Sequence, residues 1–251
     1  MIILFVKYSK KETSEFLLHE SLVLLIHKEV TCFKKNCGTI KTTIKRILIM
    51  KMKKEKNNMN TNIIEETARG LEIVSIEDHM YNERKIFMCE PVTSQSSANL
   101  IKQLMYLDQK DTGEEIELYI SSPGGEVTAG LVICDFINTM KSPVTTICIG
   151  MAASMGAVIF MHGKKRKMLP HSQILIHDPS FGSMDMGGQK PMQLMEQVND
   201  LMKVRKTLGE IIAEQTGMKL QSVYAKTKKD SVLSAEEAVE CGIATEIIYK
   251  D

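Results

Sequence analysis

A single serine, Ser154, sits inside MAASMG near the middle of the uncharged run SPVTTICIGMAASMGAVIFMHG, Ser142 to Gly163. Three roles compete for it. A membrane helix needs about 18 to 20 uncharged residues, but this run has no leucine, and Gly150 and Gly156 divide it into short β-branched stretches. A strand (VTTICI), a tight turn of small residues and a helix would use the hydroxyl only as a cap or filler. The third role is nucleophilic: a serine raised on a sharp turn after a strand, between alanine and glycine, lets a substrate carbonyl approach.

A serine nucleophile needs a base to take its proton and donors for the oxyanion that forms. The turn Ser122-Pro123-Gly124-Gly125 precedes a helix, so its glycines leave backbone N–H groups open to a ligand. The N–H of Met155, next after the serine, is the natural second donor. No lysine-threonine pair follows SPGG, which excludes a phosphate loop. Three histidines lie downstream of Ser154. His162 among lysines and His171 after Pro170 are expected to be solvated loop residues. His177 ends the apolar strand QILI, at the same kind of strand terminus as SPGG and Ser154. The acid that orients the imidazole remains open at this level. Asp178 faces away because neighbours in a strand point to opposite sides, which leaves Asp230, Asp185 and Asp200.

The elements that must position these groups alternate. KIFMC (85–89) and ELYI (117–120) are expected strands, and SANLIKQLMYLD (97–108) and EVTAGLVICDFINTMK (126–141) are expected helices. VTTICI, a helix after Ser154, and QILIH follow. The order implies an α/β fold with right-handed crossovers and parallel strands, with sites at the carboxyl ends of the strands. A helix from Pro191 to about Gln215 carries an apolar stripe at Leu194, Val198, Leu201, Leu208 and Ile211, interrupted by Arg205. At about 37 Å it is too long to pack fully on such a domain, so its stripe is expected against another subunit. SAEEAVECG is a capped helix with a Ser234/Glu237 capping box and Gly242 as its stop, before a strand IATEII.

Composition divides the chain near residue 60. Residues 1–60 hold 13 Lys and Arg against 5 Glu, whereas the remainder holds 19 basic against 26 acidic residues. The expectation is a basic N-terminal extension, 1–60, disordered or absent from the mature protein, and a catalytic domain over 61–251. The six cysteines form no CxxC pair, and with no secretory signal pattern this implies a reducing cytoplasm. No nucleic-acid or membrane partner is expected, and no metal.

Four blocks in order, ELYISSPGGEVTAG, TICIGMAASMGA, LPHSQILIHDP and DSVLSAEEAVECGIATEI, resemble the Clp protease proteolytic subunit over about residues 64–248. The resemblance implies a crotonase-like ββα superhelix with a protruding handle helix. It implies a serine endopeptidase acting on unfolded polypeptides inside two stacked heptameric rings, either homo-oligomeric or mixed with a second family subunit. It carries over Ser154 as nucleophile, His177 as base, Asp230 as acid, Gly125 and Met155 as oxyanion donors, and Tyr119 as part of the surface that docks an AAA+ unfoldase. No cofactor is implied for this chain; ATP would be used by the partner.

This chain departs from the family's pattern in three places. The segment from Ser154 to His177 is slightly short, Asp178 stands where glutamine is usual, and Lys228 and Lys229 replace an acid and an arginine. A non-catalytic ring subunit and an acyl-CoA hydratase or isomerase of the same fold remain as alternatives. The second would need carboxylates where the Ser/His pair stands.

Overall fold

The computed structural model describes residues 62–67, 70–182, 188 and 190–249; the basic extension 1–60 and Asp185 lie outside the described residues. The chain divides into two compact units, Met1–Ile76 and Glu77–Asp251. In the first, strands β1 (Asn62–Thr67) and β2 (Gly70–Ser75) form an antiparallel hairpin, with Asn62 opposite Ser75 and Thr67 opposite Gly70. A short helix α1 (Ile76–Asn82) follows.

The second unit is mixed α/β, built on a mostly parallel sheet. Strand β3 (Lys85–Met88) pairs with β4 (Ile116–Ser122), β4 with β5 (Val144–Ala153), β5 with β6 (Lys165–Met168), and β6 with β9 (Glu246–Ile247), all parallel. Period-two burial explains β4, where Ile116, Leu118 and Ile120 are fully buried. Helix α2 (Ser94–Lys110) crosses from β3 to β4. A Thr93/Ser96 capping box starts it, and Leu100, Leu104 and Leu107 bury one face. Helix α3 (Val127–Thr139) makes the next crossover. Arg84 ties three of these pieces together. Its guanidinium donates to the carbonyls of Leu107, Glu114 and Glu115 at 2.9–3.0 Å.

β5 is the central element because it changes partners along its length. Residues 145–148 pair with β6, whereas 151–153 pair with β7 (Gln173–Ile176), also in parallel. On its other side the register to β4 shifts between Ile120 and Ser122, so four residues of β5 oppose two steps of β4. Gly150, Met151, Ala152 and Ala153 therefore continue the strand rather than forming the tight turn expected before Ser154. Helix α4 (Met155–Met161) begins immediately, and all seven of its residues are buried, Phe160 completely.

The long helix α5 (Pro191–Thr216) has 26 residues, about 39 Å. Only Leu208, Gly209 and Ile212 in its second half are buried, where it meets α4 and α6 (Leu220–Thr227). Its first half presents Met192, Met195, Val198 and Met202 to solvent. Of the expected stripe, Leu208 joins this unit's core, Leu194, Leu201 and Ile211 are half-buried, and Val198 stays exposed beside three methionines the stripe did not include. Strand β8 (Ser231–Leu233) pairs antiparallel with β7. Helix α7 (Ala235–Glu240) is capped as expected, with Ser234 N–H donating to Glu237 Oε2 at 2.8 Å and Glu237 N–H to Ser234 Oγ at 3.3 Å. Among the described residues no helix is long and apolar enough to cross a membrane.

His162 corrects a sequence expectation. It is not a solvated loop residue but a buried C-cap of α4, with Nδ1 2.7 Å from the Val158 carbonyl. A carbonyl only accepts, so Nδ1 carries the proton. Burial holds the imidazole below its ordinary value, against the opposing pull of that bond. The unfolded chain then binds the extra proton first, so this stability is fully present above about pH 6.5 and is lost as pH falls through the folded value. Chemical denaturation from pH 7.5 to 5 should show falling stability, and His162→Gln should flatten that slope. An unchanged slope in the variant would contradict the assignment.

Candidate active site

Ser154 closes β5 and opens α4 with φ 53° and ψ −121°, a left-handed conformation that non-glycine residues rarely adopt. Two backbone bonds fix it there. Its N–H donates to Leu175 O at 2.8 Å, and its own carbonyl accepts from Ala157 at 3.0 Å and Val158 at 3.2 Å. Its hydroxyl makes no capping bond to the helix. The reading of this serine as an ordinary cap therefore fails, and the half-buried residue sits at a strand end with its hydroxyl unused by the helix.

The SPGG turn lies directly against it. A Cβ on Gly124, itself at φ 84°, would sit 2.5 Å from Ala153 O, 2.7 Å from Ser154 Cβ and 2.9 Å from Met155 N. Only glycine allows that approach. Gly125 forms a parallel bridge to Val92, with Val92 N–H donating to Gly124 O at 2.9 Å and Glu126 N–H to Val92 O at 2.8 Å. In a parallel ladder a residue bonded to both neighbours of its partner leaves that partner's own groups pointing away. The N–H of Gly125 is thus turned from Val92. Gly124, the residue before it, is the one packed on Ser154 and the amide of Met155.

β7 brings the imidazole. The parallel register Ala152↔Ile174 and Ala153↔Leu175, continued past the strand ends, sets Ile176 opposite Ser154 and His177 one step further, at the level of Met155. The two line one cleft together with Val158, Leu208, Ile212 and Arg205. Asp230 arrives from the other side of β7. The antiparallel register Ile174↔Leu233 and Ile176↔Ser231 sets it across from His177, and Asp178 N–H donating to Thr227 O at 2.8 Å keeps the two chains together beyond the ladder. What reads in sequence as a loop before the capped helix is this short strand. Neither link of a relay is closed in the isolated chain. Among the described residues no hydrogen bond joins Ser154 to His177, no ion pair within 4.0 Å joins His177 to Asp230, and Asp230 is exposed.

Asp178 does not stand free beside His177. Arg205 Nε donates to its Oδ2 at 2.7 Å, and the guanidinium lies 4.0 Å over the Tyr224 ring. Of the alternative acids, Asp200 pairs with Lys203 on α5 at 2.8 Å and does not line the cleft. The exposed Lys228 and Lys229 make no ion pair among the described residues. Tyr119 lies apart from the cleft. It stacks on Phe87 with ring centroids 4.9 Å apart and donates its hydroxyl to Glu117 at 2.9 Å. Desolvation by burial and that carboxylate push the phenol up to about 12, so it stays a neutral donor. No cluster of His, Cys, Asp or Glu among the described residues could hold a metal ion.

Residues missed in the sequence are Val92, which steers the N–H of Gly125, and the Asp178–Arg205 pair. The interruption of the α5 stripe by a charge was the only sequence signal of the second. Residues 68–251 match the family model described as Clp protease.

The close approach at Gly124 generates a prediction. Gly124→Ala adds strain at a left-handed position and drives Cβ into the serine, so it should cost about 1–3 kcal/mol in denaturation. It should also slow phosphonylation of Ser154 by a fluorophosphonate at least roughly tenfold, because the hydroxyl is displaced. Labelling at the unaltered rate would show that the turn does not position the serine.

Proposed function

The chain belongs to the Clp protease family, and from that premise we propose that it is a serine endopeptidase that cuts unfolded polypeptides into short peptides. The observation that carries the reading is the left-handed conformation of Ser154 at the end of the central strand, with its hydroxyl unused by the following helix and His177 lining the same cleft. Oγ of Ser154 attacks the scissile carbonyl carbon while the imidazole of His177 takes its proton. The oxyanion that forms accepts from the N–H groups of Gly125 and Met155. The proton then passes to the departing amine, leaving an acyl-serine, and water activated by the same imidazole releases the second product. Asp230 orients the imidazole.

The open Ser154–His177–Asp230 arrangement gives this proposal a second part. In this reading the three side chains come into hydrogen-bonding contact when subunits assemble. α5 begins beyond the cleft with Met192, Met195, Val198 and Met202 uncovered. Burying such side chains is worth about 1.5–3 kcal/mol each, so they belong in an interface. We assign α5 as the handle of a crotonase-like ββα superhelix, and the assembly as two stacked heptameric rings, homomeric or mixed, enclosing the serines in a cytoplasmic chamber. Folded proteins enter only when an AAA+ unfoldase, docked near Phe87 and Tyr119, threads them in with ATP. Residues 1 to about 58 are absent from the working particle. A second reading, a non-catalytic ring subunit, draws on the same open arrangement. An acyl-CoA enzyme has less support, since the cleft carboxylate Asp178 is held by Arg205.

Ser154→Ala removes one oxygen beside alanines, so folding and assembly should persist. Hydrolysis of short fluorogenic peptides should fall by orders of magnitude. Assembled wild-type particles that cleave nothing would favour the non-catalytic reading, and a variant that retains wild-type turnover would end the serine assignment.

A further inference from the structure

The cleft beside Ser154 has a wall that serine chemistry does not require. Val158, Ile176, Leu208 and Ile212 make it apolar, yet Asp178 and Arg205 also line it, joined at 2.7 Å. Neither is a surface charge: their side chains are 32% and 22% exposed. Arg205 is fixed from both sides, by the carboxylate at Nε and by the Tyr224 ring at 4.0 Å. Among the described residues, neither terminal nitrogen of Arg205 donates a hydrogen bond, and Asp178 accepts from no side chain other than Arg205. The pair therefore offers uncommitted donors and an acceptor side by side in a cleft that is otherwise largely apolar.

Whichever residue is acylated onto Ser154 must place its side chain next to that serine, and this cleft is the space there. We propose that the Asp178–Arg205 pair is a specificity device that selects the residue on the acyl side of the scissile bond. The proposal rests on the serine peptidase reading and deepens it. An aliphatic stem packs on Val158, Leu208 and Ile212. A terminal amide fits the pair, its oxygen accepting from a terminal nitrogen of Arg205 and its NH2 donating to Asp178. A carboxylate that reaches Arg205 also meets Asp178, and an ammonium that reaches Asp178 also meets Arg205, so each charge's attraction is offset by a like charge in a half-desolvated site. Rejection by unpaired or like-charged groups is the stronger form of pocket discrimination. Glutamine should be favoured, leucine and methionine accepted on the apolar residues alone, and glutamate and lysine both disfavoured.

The test uses the assembled particle and four peptides differing only at that residue: Gln, Leu, Glu and Lys. Ratios of kcat/KM within each protein cancel any change in overall rate. In the wild type, Glu and Lys should each fall roughly tenfold or more below Gln. Asp178→Asn frees Arg205 and should raise Glu relative to Gln by about tenfold, leaving Lys low. Arg205→Met frees Asp178 and should do the same for Lys, leaving Glu low. Such opposite shifts do not arise from loosened packing, which lowers all four substrates together. A wild type that prefers Glu or Lys over Gln overturns the proposal without any variant, as does a uniform loss in both variants. Hydrolysis that survives Ser154→Ala overturns the assignment of Ser154 as nucleophile, on which the proposal rests, so the two failures are distinguishable.

Discussion

The active region depends on one strained residue. Ser154 at φ 53° costs of order 1–3 kcal/mol relative to a relaxed backbone, and the neighbouring structure must hold it there. β5 does so by being paired on both edges almost to its end, with Ser122 opposite Ala152 on one side and Leu175 opposite Ala153 on the other. α4 starts at once and is buried along its whole length, so the chain has no slack with which to relax. Side-chain size is constrained for the same reason. A Cβ on Gly156 would come within 3.1 Å of Ser122 O, which leaves room only for small residues around the serine. MAASMG is thus explained by packing before chemistry is invoked. The chemistry is what the packing leaves over, a hydroxyl the helix does not use.

Much of this was legible because the governing rules are local. Alternation exposes β4, the Ser234/Glu237 spacing exposes the cap of α7, and Pro191 and Gly217 bracket α5. His177 stood out as a histidine ending an apolar strand. What escaped depends on partners distant in sequence. β6 reads KRKM and looks like a charged turn. It is a strand because its charges are met across the sheet, Lys165 by Glu115 at 3.3 Å and Lys167 by Glu246 at 2.7 Å. β8 has three residues, too few to show a period, and exists through β7. His162 sits among lysines in sequence but caps a buried helix in space.

The same distinction separates the two carboxylates near the imidazole. Asp178 is adjacent in sequence yet committed elsewhere, to a guanidinium on α5 that itself rests on Tyr224 of α6. Asp230 is 53 positions from His177 in sequence yet opposite it in register. α5 therefore touches the site through Arg205 and the apolar cleft wall at one end, and carries uncovered methionines at the other. A helix so divided joins whatever covers its free end to the strand that bears His177.

The most direct measurement is the structure of the assembled protein after reaction with a fluorophosphonate. The account predicts one phosphonyl group on Ser154 Oγ, with its oxygen about 2.7–3.1 Å from the backbone nitrogens of Gly125 and Met155, and with His177 between Ser154 and Asp230. A label on another residue, or an adduct on Ser154 whose oxygen faces away from both amides, would contradict it.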